Sequence, residues 1–141
     1  MGGNEKSACR GIRIVYDELL HCTATHPQTG EKLESDAGKG FGGKGERYNP
    51  LDLVSVALGS CILLVMGKAA QGNGLDIQGT EATVVSEMAE MRIAKMNVTL
   101  RMPRDLPEAD RAKLEKASEM CPVYQALKPT VAVQVGFIWP A

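Results

Sequence analysis

Tyr48-Asn49-Pro50-Leu51-Asp52-Leu53-Val54-Ser55-Val56-Ala57-Leu58-Gly59-Ser60-Cys61-Ile62-Leu63-Leu64-Val65-Met66-Gly67-Lys68-Ala69-Ala70-Gln71-Gly72 is the stretch whose reading decides the fold. Asn49 is a good helix N-cap, Pro50 suits the first helical position and Asp52 places a carboxylate in the first turn. No charge follows until Lys68, and the apolar residues point to every side of the axis, which predicts a buried helix. The glycines of Gln71-Gly72-Asn73-Gly74 end it. Its uncharged part would rise only about 22 Å, short of the roughly 30 Å hydrocarbon core of a bilayer, so it reads as a core helix and not as a membrane span. Ser55, Gly59 and Ser60 are small enough to let a second helix approach at the level of Cys61.

The totals narrow the partners. With 16 basic and 17 acidic residues in 141, and no basic stripe, nucleic acid is not an expected ligand. One domain over residues 1–141 is expected by length. Residues 1–9 are polar and lack the apolar run of a signal peptide, which points to the cytoplasm and to reduced thiols. The four cysteines, Cys9, Cys22, Cys61 and Cys121, show no Cys-x-x-Cys or Cys/His ligand spacing, so no metal is expected.

Before the helix, alternating residues predict three strands, roughly 9–16, 19–26 and 31–36, with Cys9 and Cys22 as strand-face side chains. A glycine-rich loop follows. Gly38, Gly43 and Lys44 match most of a phosphate-binding G-x-x-x-x-G-K pattern, but Gly45 stands where Ser or Thr would be required and no buried strand precedes it. The loop reads instead as an approach to the helix cap lined by Lys44, Glu46 and Arg47. Beyond the helix, strands are predicted at 77–86 and 94–102, a charged helix at 108–120, a short helix capped by Cys121, and a last strand over 131–139. This order is α+β. A helix so apolar, with sheet on one side, predicts a second copy packed on its other face through Ser55, Gly59 and Ser60.

Cys121 stands at a predicted helix N-terminus, where amides and the helix dipole favour a thiolate. Cys61, three turns into its helix, gains nothing from that end. Together, Asn49-Pro50-Leu51-Asp52-Leu53 leading to Cys61, and Cys121-Pro122-Val123-Tyr124-Gln125-Ala126-Leu127, resemble the two signature segments of the OsmC/Ohr family of peroxiredoxin-like hydroperoxide reductases, nearer its general OsmC-like branch. The resemblance implies antiparallel sheets wrapped around a long central helix in an intertwined homodimer. It also implies thiol-dependent reduction of organic hydroperoxides in antioxidant defence. In that scheme Cys61 is the peroxidatic thiol and Cys121 resolves it as a disulfide, with a dithiol or lipoylated protein as external reductant and no bound cofactor. Asp52, Glu46 and Arg47 are supporting candidates.

The chain departs from the hydroperoxide-resistance branch at two points. Leu51 occupies the place of the acid that directly follows the helix proline there, with Asp52 one residue later. The turn that carries a catalytic arginine there reads Tyr16-Asp17-Glu18 here, leaving Arg10, Arg13, Lys44 or Arg47 as cations for the site. A non-catalytic dimer that binds a small apolar ligand is the alternative expectation.

Overall fold

Alternation in the first part of the chain produces an antiparallel meander: β1 (Arg13–Glu18), β2 (His21–Thr25) and β3 (Lys32–Asp36), in the order β1-β2-β3. The computed structural model describes residues 11–141 as two compact units that part between Leu53 and Val54, in the first turn of the long helix. In the first unit, β1 and β2 are joined not at 17–18 but by Leu19 and Leu20, both left-handed with φ of 56° and 60°. A two-residue hairpin turn requires that conformation, which Asn or Gly ordinarily supplies; leucine pays about 1–2 kcal/mol to enter it.

The glycine-rich loop folds on itself. The amides of Phe41 and Gly43 donate to the Gly38 carbonyl at 3.0 Å, and that of Gly45 donates to the Ala37 carbonyl at 3.2 Å. These N–H groups are therefore spent, and the loop is no phosphate cradle. Gly43 is obligatory, since a Cβ there would lie 2.1 Å from the Ala37 carbonyl oxygen. The unit buries the Asp36 side chain while Ile14, Tyr16 and Leu33 stay open and Phe41 is 80% exposed.

The long helix, α1 (Pro50–Gly72), begins and ends as its sequence demands. Asn49 Oδ1 accepts the Asp52 amide at 2.9 Å and Asp52 Oδ2 accepts the Asn49 amide at 3.1 Å, a reciprocal capping box. At the other end the Leu75 amide reaches the Ala70 carbonyl at 2.8 Å across Gly74, whose φ is 66°. That is a Schellman motif, and Leu75 packs on the core as the motif favours.

The second unit builds on this helix. It contains β4 (Glu81–Ala89), β5 (Arg92–Arg101), α2 (Glu108–Ser118), α3 (Pro122–Leu127) and β6 (Ala132–Ile138), with strand order β4-β5-β6. β4 and β5 form an antiparallel hairpin, but β6 runs parallel to β5. The expected all-antiparallel sheet is thus mixed, because α2 and α3 carry the chain back to the starting end of β5. Met96, Val98 and Leu100 of β5 are buried against Leu58, Ile62, Met66 and Ala70 of α1, with Leu114 of α2 completing the core.

Within the chain, α1 is buried along that one stripe and not all round: Leu64 is 73% exposed and Val56 is open too. By length and composition the whole helix would serve to cross a membrane, yet its buried stripe has a partner in its own sheet. The small residues also lie differently from expectation. Gly59 faces β4, where a Cβ would come 3.2 Å from Val84 Cγ2, and the Ser55 hydroxyl shares a 3.1 Å hydrogen bond with that of Ser86. Only Ser60 of that trio is exposed, its hydroxyl donating to the Val56 carbonyl at 2.6 Å. Small residues here serve helix-on-sheet approach. Gly59→Val should therefore lower stability by about 1–3 kcal/mol in urea denaturation through overpacking against Val84, whereas Ser60→Ala should change it by less than about 0.5 kcal/mol.

Candidate functional site

Cys61 sits in the middle of α1, half-buried, on the flank between the buried stripe and the open face. Cys121 is fully buried and caps α3, with its Sγ accepting the Tyr124 amide at 3.3 Å and Pro122 in the first helical position. Both belong to the second unit. Burial raises the Cys121 pKa above its ordinary 9.0, the neighbouring Cys61 thiol raises it further, and the Tyr124 and Val123 amides only partly offset this. The expectation that the cap would favour a Cys121 thiolate is thereby reversed. A six-residue helix offers little dipole, and desolvation of the anion outweighs two amide contacts.

A groove of ≈ 810 Å³ opens at Cys61. Ala57, Leu64 and Val65 form its α1 wall, and Ala117, Met120 and Pro122 close the other side. Met120, expected on the apolar stripe of α2, lies beyond that helix and lines this groove instead. The lining is almost wholly apolar, apart from the Ser60 hydroxyl and Lys68.

The supporting candidates fall elsewhere. Asp52 is held in the α1 cap, about 13 Å along the axis from Cys61. Glu46 and Arg47 lie in the first unit, where their amides each donate to Asp36 Oδ2 at 3.1 Å and the Arg47 guanidinium meets Glu34 at 3.5 Å. Lys44 lines a small hollow with them. Arg13 is exposed on β1, opposite Thr25, and Cys22 is half-buried on β2, opposite Tyr16. Cys9 and Arg10 lie outside the described residues. Among the described residues no group of three or more His, Cys, Asp or Glu side chains is arranged to hold a metal ion.

The α+β frame thus carries a half-buried thiol on its long apolar helix and, close by, a buried thiol at the cap of a second helix. The chain belongs to the OsmC family: the family model described as OsmC-like protein matches residues 43–136. Among solved structures, a Psychrobacter arcticus protein named for osmotic stress induction and a detoxification response superposes with a TM-score of 0.87 at 26% identity, over 94% of this chain and 98% of that one. An OsmC-like protein of Mycoplasma pneumoniae gives 0.79 at 16%, over 96% and 99%. An organic hydroperoxide resistance protein of Elizabethkingia anophelis gives 0.73 at 15%, over 95% and 99%. The sequence has no match among curated proteins.

Sequence reading missed one cluster. His21 Nδ1 lies 2.5 Å from Asp36 Oδ1, and its Nε2 lies 3.0 Å from Glu34 and 3.8 Å from Asp17. The signal was present in the period-two alternation of Glu34 and Asp36, which puts both acids on one face of β3, with His21 directly opposite Asp36. The bond to Asp36 raises the His21 pKa above its ordinary 6.5, and the same bond lowers that of Asp36 below 3.8. Because Asp36 also holds the Glu46 and Arg47 amides, the cluster ties β2 to the glycine-rich loop.

The sign of the pH effect follows. A raised His21 pKa contributes stability that is complete below the unfolded value of 6.5 and is lost as pH rises through the folded value. The Asp36 contribution is complete above 3.8 and is lost as pH falls through its lowered value. The His21 ring resonances should therefore titrate with a midpoint above 6.5 by NMR, and Asp36→Asn should bring that midpoint down.

Proposed function

We propose that the chain is a thiol-dependent hydroperoxide reductase in which Cys61 attacks the peroxide and Cys121 resolves the product. The observation that carries this reading is a half-buried Cys61 thiol that opens on an apolar groove and neighbours the buried Cys121 thiol closely enough to shift its pKa. The names of the hydroperoxide resistance proteins from Elizabethkingia anophelis and Legionella pneumophila, both similar in fold, support the reaction class.

In the first step the Cys61 thiolate attacks the distal peroxide oxygen, the O–O bond breaks, and the alkoxide takes a proton and leaves as an alcohol. Cys61 is then a sulfenic acid. The Cys121 sulfur next attacks the Cys61 sulfur, and hydroxide leaves as water with the Cys121 proton. A disulfide results. An external dithiol, free or as a lipoylated protein, returns both thiols and carries away the two electrons as its own disulfide. No bound metal or cofactor enters the cycle. A cytoplasmic setting suits a cycle that must be re-reduced.

The working unit is an intertwined homodimer, each 141-residue chain acting as one domain. Its support is what the chain leaves open: a β1-β2-β3 sheet that covers none of its large apolar residues, and the Val56 and Leu64 face of α1. A second copy covers such faces at the least cost. Light scattering should give twice the chain mass.

The groove's apolar lining also supports a binding-only reading, and one substitution separates the two. With dithiothreitol or lipoamide as reductant, the protein should consume cumene hydroperoxide, and Cys61→Ser should lose at least about a thousandfold of that rate. Turnover that survives in Cys61→Ser would remove the reductase reading. In Cys121→Ser, one equivalent of peroxide should leave a sulfenic acid on Cys61 that dimedone captures by mass spectrometry.

A further inference from the structure

The register of the first unit separates the two faces of its sheet. Ile14, Tyr16, Cys22 and Leu33 lie on one, and His21, Thr23, Glu34 and Asp36 lie on the other. The first is the open apolar face that a second copy would cover; the second is polar and carries a hollow of ≈ 290 Å³ at His21. Three elements bring charge to that ring. Asp17 and Glu18 come from β1, Glu34 and Asp36 from β3, and Lys44, Glu46 and Arg47 from the glycine-rich loop. Five carboxylates thus face two permanent cations, and His21 is the one group among them that can add a positive charge near neutral pH.

The ring's two contacts fix its charge. Nδ1 lies 2.5 Å from Asp36 Oδ1 and Nε2 lies 3.0 Å from Glu34 Oε1. A carboxylate only accepts, so both nitrogens must carry protons for both contacts to be hydrogen bonds, and a neutral ring has one proton to give. On deprotonation one carboxylate therefore loses its donor and faces a lone pair. The Asp36 side chain is 2% exposed and its other oxygen holds the Glu46 and Arg47 amides, whereas the Glu34 side chain is 41% exposed and has the Arg47 guanidinium at 3.5 Å. The buried anion is the costlier one to strand. We propose that His21 is a proton-operated clasp of the first unit: as an imidazolium it ties Asp36 to Glu34, and as a neutral ring it keeps its proton on Nδ1 for Asp36 and releases Glu34 to water and Arg47. Asp17, 3.8 Å from Nε2, favours the closed state by its charge and keeps the Thr23 hydroxyl in both. The stability that the clasp contributes is complete below 6.5 and is lost as pH rises through the raised folded value.

The clasp is tested on the full-length protein by nitrogen-15 NMR of the ring across its titration. Below the midpoint both His21 nitrogens should be protonated, and above it the proton should remain on Nδ1. His26 is an internal reference with the opposite tautomer, because its Nδ1 accepts the Gln28 and Thr29 amides at 3.2 Å. Hydrogen exchange of the β2-β3 amides, corrected for intrinsic rate, should lose about two- to fivefold of its protection across the midpoint, the range of one partly exposed ion pair. Glu34→Gln can face either state of the ring through its oxygen or its nitrogen. That variant should lower the His21 midpoint and about halve the loss of protection. A neutral ring protonated on Nε2, an unchanged midpoint in Glu34→Gln, or protection that is level across the midpoint overturns the proposal. None of these readouts involves turnover, so each outcome is separate from that of the reductase reading.

Discussion

The packing of one stripe of α1 on one face of the β4-β5-β6 sheet is the constraint on which the rest depends. Leu58, Ile62, Met66 and Ala70 recur every fourth residue, and they meet Met96, Val98 and Leu100, which recur every second. The two periods match a helix laid on a sheet. Gly59 sets how close the helix comes, because it lies against Val84 where a larger residue would not fit. Once that stripe is seated, the angular position of every other residue on α1 is fixed. Cys61 falls on the flank towards α2 and α3, and Lys68 follows it two turns later.

The same constraint explains why a helix so uniformly apolar is only partly covered by its own chain. A sheet covers one side of a helix, and here the opposite side carries Val56 and Leu64. The β1-β2-β3 meander has the complementary shortage: strands of five and six residues with no helix of their own to rest on. What holds that unit is polar. Asp36, its buried side chain, joins His21 on β2 to the amides of Glu46 and Arg47 in the loop. A unit whose described residues bury a carboxylate and no large apolar side chain is suited to be finished by another surface.

Much of this was legible in the sequence because the signals were local. Asn49, Asp52 and Gly74 name the ends of α1 through caps that act within a few residues. Pro122 after Cys121 marks a short helix for the same reason. The first hairpin turn was misplaced because Leu19 and Leu20 are not turn residues; the pairing of β1 with β2 forces them into the left-handed region, and no window of sequence reports that force. The parallel β5-β6 pair was likewise hidden, since a strand's alternation is the same in either direction. Ser55 and Gly59 suggest the approach of a second helix but face β4 instead, because smallness does not say whether a helix or a strand approaches. The thiol pair was suggested by the family's two segments, while the direction of the Cys121 shift was not, because burial depends on residues far apart in the chain.

That shift bears on the order of events. Two neighbouring thiols cannot both ionise cheaply, since the first anion raises the cost of the second. Cys121 is fully buried, and its pKa is pushed up by that burial before the Cys61 contact adds to it. Cys61 is half-buried and opens on the groove. In the proposed cycle this packing leaves Cys61 as the thiol that a peroxide can reach and holds the proton on Cys121 until its neighbouring sulfur is electrophilic. In that cycle, conversion of Cys61 to a neutral sulfenic acid would remove the like-charge contribution to the Cys121 shift. Cys121, as the proposed resolving thiol, would become easier to ionise at the step that needs it.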